Sequence, residues 1–175
     1  MRKFEYTYIK YCFNAERMKN LSLNYIKPNH SQESISVLLV GNNPIEMSQV
    51  YESLTTLKEK IFKIDTSFSD DDTMKKIASA NPNCIIIDDN LGIAPLKHLI
   101  EKINLLGKEA LSITLLKTKN SQEVLYGVQE YLMKESLTPD RIYFSLVNAL
   151  RFRKTQKYLK IKYYAGKKRL KRMFI

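Results

Sequence analysis

Cys84-Ile85-Ile86-Ile87-Asp88 decides how this chain is read. Four apolar residues in a row are short enough for a strand and apolar enough to be buried on both faces, the hallmark of a parallel sheet covered by helices on either side. The acid that ends the run then projects at the strand's carboxyl end. Working outward, Ser36–Val40, Ile61–Asp65, Leu111–Leu116 and Tyr131–Met133 are further short apolar runs, and longer amphipathic stretches separate them. That alternation predicts five βα units. Pro44 suits the first position of a helix reaching about Lys58, and Asp70, Asp71 and Asp72 favour the start of a helix through Ala80. Pro95 opens a helix through Leu105, and Thr138-Pro139-Asp140 caps a last one. Right-handed crossovers wind such a series into an open α/β sheet whose ligand site lies at the carboxyl ends of the strands.

Beyond this core, the 175 residues divide into an N-terminal extension (1–34), the α/β domain (35–150) and a tail (151–175). One core of this size is what the length allows. The boundary at Pro28-Asn29-His30-Ser31 is polar and turn-prone. Hydrophobic content of 44% with 27% charge excludes wholesale disorder. The net charge of +11 sits in the tail alone: residues 151–175 hold eleven Lys and Arg and no acid, while the preceding 150 residues are neutral. Two cysteines, Cys12 and Cys84, imply no disulfide framework. Without an apolar leader or a membrane-length apolar run, the expected location is the cytoplasm. In the extension, Tyr8, Tyr11, Cys12, Ala15 and Met18 recur at helical spacing, and Met18 offers an alternative translation start to Met1.

Three features, taken in order, resemble the receiver domain of bacterial response regulators. Asp88 stands where receivers accept a phosphoryl group. Tyr131-Leu132-Met133-Lys134, with Glu135-Ser136-Leu137-Thr138-Pro139 after it, resembles the fifth receiver strand, whose terminal lysine pairs with the acceptor. Val37-Leu38-Leu39-Val40-Gly41-Asn42-Asn43-Pro44 resembles the first strand and its loop. The similarity spans about Ile35 to Arg153. It implies a flavodoxin-like, doubly wound five-stranded parallel sheet of order 2-1-3-4-5, with a basic helical extension at its C-terminus.

The resemblance also implies departures. Receivers present two acids after the first strand to hold Mg2+; here Gly41 and Asn42 leave neutral donors, so Asn42, Asp88 and the Asn90 carbonyl would make only a weakened Mg2+ site. The fourth strand of receivers ends in a switch hydroxyl, but Lys117 takes the nearest position and Thr118 follows. Lys117 pointing inward would pair with Asp88 and partly mimic the cation. Tyr131 occupies the place of the aromatic residue that changes rotamer on activation. The stretch between Leu116 and Tyr131 is short for its usual helix.

Other residues read more plainly. Asp89 is expected to be a solvated loop carboxylate, since neighbours along a strand point to opposite faces. His30 and His98 have no second ligand at metal-binding spacing, and neither a glycine-rich phosphate loop nor a nucleophile elbow occurs. An independent enzyme is not expected. In the tail, the bases, among them Arg151, Arg153, Lys154, Lys167, Lys168, Arg169, Lys171 and Arg172, alternate with aromatics, which suits nucleic acid or an anionic membrane. A solvated continuation of the last helix, ended by Ala165-Gly166, is the simpler alternative, and the apolar positions there sustain no clear heptad. The resulting expectation is a response-regulator-like protein of a two-component phosphorelay, with Asp88 as acceptor and a histidine kinase or downstream regulator as partner. Its rivals are a pseudo-receiver that acts by binding alone and a regulator that binds through the basic tail.

Overall fold

Val37, Leu38 and Leu39 are all fully buried, so the strand that carries them has neighbours on both edges and helices on both faces. The computed structural model describes residues 34–108, 110–118 and 124–173, the side chains of its last four helical residues excepted. The helix read around Tyr8 to Met18, with Cys12, lies outside the described residues, as do Phe174 and the side chains of Lys171 and Arg172. The elements are β1 (Ile35–Val40), α1 (Pro44–Thr55), β2 (Ile61–Ser67), α2 (Asp70–Ala80), β3 (Cys84–Asp88), α3 (Ile93–Leu105), β4 (Ser112–Lys117), β5 (Glu130–Met133) and α4 (Pro139–Met173). Short 3-10 turns follow β3 (Asp89–Leu91) and β5 (Lys134–Ser136).

All strand pairs are parallel, in the order β2-β1-β3-β4-β5. This is the flavodoxin-like doubly wound sheet. Alternation along the strands divides the core in two. Val37, Leu39, Cys84 and Ile86 meet Met47, Val50 and Leu54 of α1 and Ile142 and Leu146 of α4. Leu38, Val40, Ile85 and Ile87 meet Ile77 of α2 and Leu96, Leu99, Ile100 and Ile103 of α3. Burial on both faces is why β1, β3 and β4 read as continuous apolar runs rather than as alternating ones.

The helix starts follow local chemistry. The Asn43 side chain accepts from the backbone N–H of Ile45 (3.1 Å), with Pro44 at the first helical position, and Ser69 caps α2 through the Asp72 N–H (3.3 Å). Asn81, at φ 48°, ends α2 in the left-handed region. α3 begins at Ile93 rather than Pro95, which therefore lies in the first turn, where its missing N–H breaks no helical bond. Between β4 and β5 none of the described residues is helical. α4 does not stop at Ala165-Gly166; it runs through them as one helix of 35 residues.

Candidate functional site

The carboxyl ends of β1, β3 and β5 converge on the first turn of α1, as the strand order requires. Asp88 closes β3 with its side chain wholly out of water. Its Oδ1 accepts from the Asn90 N–H at 2.8 Å and stands 2.7 Å from Lys134 Nζ, so the two residues named from the strand ends meet in space. Its Oδ2 is buried and accepts no hydrogen bond. Lys134 opens the turn after β5, and its ammonium reaches a second carboxylate, Glu46 Oε2, at 2.5 Å, with Asp89 Oδ1 at 3.8 Å.

Glu46 is the residue that sequence reasoning missed. It lies in the first turn of α1, where the helix dipole favours an acid. Asn43 Nδ2 donates to its Oε1 (3.0 Å), and Asn90 Nδ2 to its Oε2 (2.9 Å). The signal was available: Asn43 and Glu46 stand at cap and third helical position, the spacing of a capping box. The hydrogen bond from Lys134 is the main reason Glu46 titrates below its ordinary 4.5, against a smaller opposing effect of burial. Burial pushes Lys134 down, but its hydrogen bonds to Asp88 and Glu46, with the charge of the two carboxylates, together outweigh this and leave it above its ordinary 10.5. The Lys134 ammonium and the Glu46 carboxylate are therefore charged at neutral pH.

At the end of β1, a Cβ on Gly41 would lie 2.5 Å from Met47 Sδ and 3.3 Å from Asp88 Cβ. The space that a side chain at this position would need is thus filled by the buried Met47 thioether. Asn42 turns its Nδ2 to the Asn90 carbonyl at 3.0 Å. These residues do not fit a bound Mg2+. The ion prefers hard anionic oxygens in a near-octahedral shell, whereas Gly41 offers no ligand, the Asn90 carbonyl already accepts an amide, and a cationic ammonium sits on the Asp88 carboxylate.

The residues read as switch positions lie along the β4 and β5 ends. Lys117 is buried, with Nζ 5.2 Å from the centroid of the Tyr131 ring, and the Tyr131 hydroxyl accepts from the Leu125 N–H at 2.8 Å. The Thr118 hydroxyl donates to Asp89 Oδ1 (2.7 Å), and its N–H donates to Asp89 Oδ2 (2.8 Å). Asp89 is therefore not the solvated loop carboxylate expected of it. The 3-10 turn bends the chain after β3 and brings Asp89 onto the β4 loop, a change of direction that strand alternation does not anticipate. Arg151, Arg153, Lys154, Lys167, Lys168 and Arg169 stand on the outlying part of α4. Among the described residues no cluster of three His, Cys, Asp or Glu has metal-binding geometry.

No protein-family model matches this chain, and no curated protein matches it by sequence. Solved structures match it in fold. A CheY-like response regulator receiver domain protein from Methanospirillum hungatei shares 16% identity at a TM-score of 0.58, over 71% of this chain and 99% of the other. The signal receiver domain of a LuxO-type repressor protein from Vibrio parahaemolyticus shares 20% at 0.57, over 72% and 97%. The receiver domain of a Saccharomyces cerevisiae response regulator, co-crystallised with its histidine phosphotransfer protein, shares 19% at 0.55, over 67% and 89%. The fold of residues 34–150 is that of response regulator receiver domains.

Proposed function

We propose that this receiver-fold chain is a signalling module that works by protein contact with its pocket held in an ion-paired, unphosphorylated state. The observation that carries this reading is the Lys134 ammonium clasped between Asp88 and Glu46, with the Asp88 side chain wholly buried. Phosphoryl transfer to a carboxylate requires access for the donor and positive charge to offset crowded oxygens. Here the local cation is already shared between two anions, and Met47 occupies the space beside Gly41. The yeast receiver domain was crystallised with a histidine phosphotransfer protein, and contact with a histidine kinase or downstream regulator is the partnership proposed for this chain.

A second reading keeps Asp88 as phosphoacceptor in a two-component phosphorelay, with Lys134 pairing to the product. It is favoured by one specific fact, the Asp88 Oδ2 left without a hydrogen-bond partner. Incubation with acetyl phosphate and Mg2+, followed by intact mass measurement of wild type and Asp88→Asn, separates the two. We expect no phosphoryl adduct on either protein. An adduct on wild type alone overturns the binding-only reading and establishes the acceptor.

A further inference from the structure

Beyond Leu150, α4 continues uninterrupted to Met173 and carries every unit of the chain's excess charge. Set out at about 3.6 residues per turn, its eleven Lys and Arg occupy an arc of roughly 220°, and the remaining arc of roughly 140° holds no charged residue. That uncharged face is formed by Phe152, Thr155, Gln156, Leu159, Tyr163 and Gly166, and the sequence repeats the spacing at Leu170. Phe152, Leu159 and Tyr163 are 49%, 59% and 65% exposed. Nor is this the face that α4 turns to the sheet. Ile142, Leu146 and Ala149 are buried there, about a quarter-turn round the helix axis.

Three kinds of surface compete for such a helix. A second copy would seat the uncharged faces together, but it would then align Arg153, Lys160, Lys162, Lys167 and Arg169 with their own counterparts along a segment, residues 151–175, that contains no Asp or Glu. A nucleic-acid duplex would satisfy the bases while leaving the Phe152, Leu159 and Tyr163 row in water, and a single strand could stack on the two rings but not on Leu159. An anionic bilayer uses both: the apolar row enters the boundary between headgroups and acyl chains, and the flanking bases meet lipid phosphates. Among the described residues no helix is long and apolar enough to cross a membrane, so the helix would lie along the surface. We propose that residues 151–173 dock lengthwise on an anionic lipid surface, with Phe152, Leu159 and Tyr163 facing the acyl chains.

The test is co-sedimentation of the full chain with phosphatidylcholine vesicles, with and without phosphatidylglycerol, for wild type, Leu159→Glu/Tyr163→Glu and Lys160→Gln/Lys167→Gln/Lys168→Gln. Wild type should pellet only with the anionic vesicles. The apolar-face variant should bind at least about tenfold more weakly, and the charge variant roughly a hundredfold more weakly. Circular dichroism of each variant without lipid checks that helix content is retained, and a variant that loses it is replaced by Leu159→Gln/Tyr163→Gln, which keeps the polarity change without added charge. Failure of wild type to bind anionic vesicles overturns the proposal. So does binding indifferent to the apolar face, and so does tighter binding to a DNA duplex that survives the apolar-face substitutions, which would assign the helix to nucleic acid.

Discussion

β1 and β3 are neighbours, paired from Val37 with Cys84 to Val40 with Ile87, and equally buried. Their ends differ completely. β1 gives way to Gly41-Asn42-Asn43 and β3 to Asp88-Asp89-Asn90. One end carries no charge, the other two, yet the pocket between them still holds an ion pair. The counter-charge for Asp88 comes from β5 through Lys134, and the acid absent from the β1 end reappears one element later as Glu46 on α1. A strand end can therefore lose its acids without the pocket losing its carboxylates, provided a helix start faces the same space. What changes is their partner: these carboxylates hold an ammonium where receiver acids hold a metal.

The contrast is broken most severely by Lys134→Met, which leaves Asp88 buried and uncompensated. Removing one partner of a buried pair costs about 3 to 5 kcal/mol, and the urea midpoint should fall accordingly; an unchanged midpoint would mean that the clasp contributes nothing. Placing an acid back on the β1 end, Gly41→Asp, should also destabilise, by about 1 to 3 kcal/mol, because the new side chain overpacks against Met47. Adding Met47→Ala should recover part of that loss and make the melting temperature rise with Mg2+, which it should not do in wild type. A smaller effect, below about 1 kcal/mol, is expected for Glu46→Gln, since Glu46 keeps over a third of its side chain in water and solvent screens the pair.

The smallest signal is in the pH dependence. Because Glu46 is lowered on folding, its contribution is complete above 4.5 and is lost as pH falls through its folded value. Lys134 is raised, so its contribution is complete below 10.5 and is lost as pH climbs through its folded value. Between these limits the pair adds no slope. Urea midpoints of wild type minus Glu46→Gln across pH should be flat at neutrality and shrink in acid; a slope near neutrality would contradict the charge states assigned to the clasp.

The sheet was legible because a strand buried on both faces leaves an unbroken apolar run, as β1, β3 and β4 do, and the two mixed edge strands fall at the right length and spacing around them. Asp88 could be named because it ends one of those runs, and Lys134 because the stretch that carries it resembles the fifth receiver strand. Glu46 was not, because nothing in a linear pattern tells which side of the first helical turn faces a neighbouring strand end. Asp89 eluded the reading for a related reason: strand alternation ceases to apply once a 3-10 turn begins. Gly41 was read as a missing acid, and only packing shows what stands in its place, the Met47 thioether. In the tail, the bases and the aromatics among them were visible at first sight; continuity of the helix through Gly166 supplies the geometry that sorts bases from apolar residues.

Ile142, Leu146, Ala149 and Leu150 of α4 are buried where the helix lies along β4, β5 and α1, and beyond them Phe152, Leu159, Ile161, Tyr163 and Tyr164 are exposed. At about 1.5 Å per residue, Met173 stands roughly 35 Å beyond Leu150 along the axis. The helix is thus a lever whose short arm rests beside the strand ends of the pocket. A tilt of about 10° at its seat would sweep the far end through some 6 Å, taking roughly 35 Å as the lever length, so a slight repacking around Lys134 would be magnified into a displacement large enough to bring the distal turns into or out of register with whatever they rest upon.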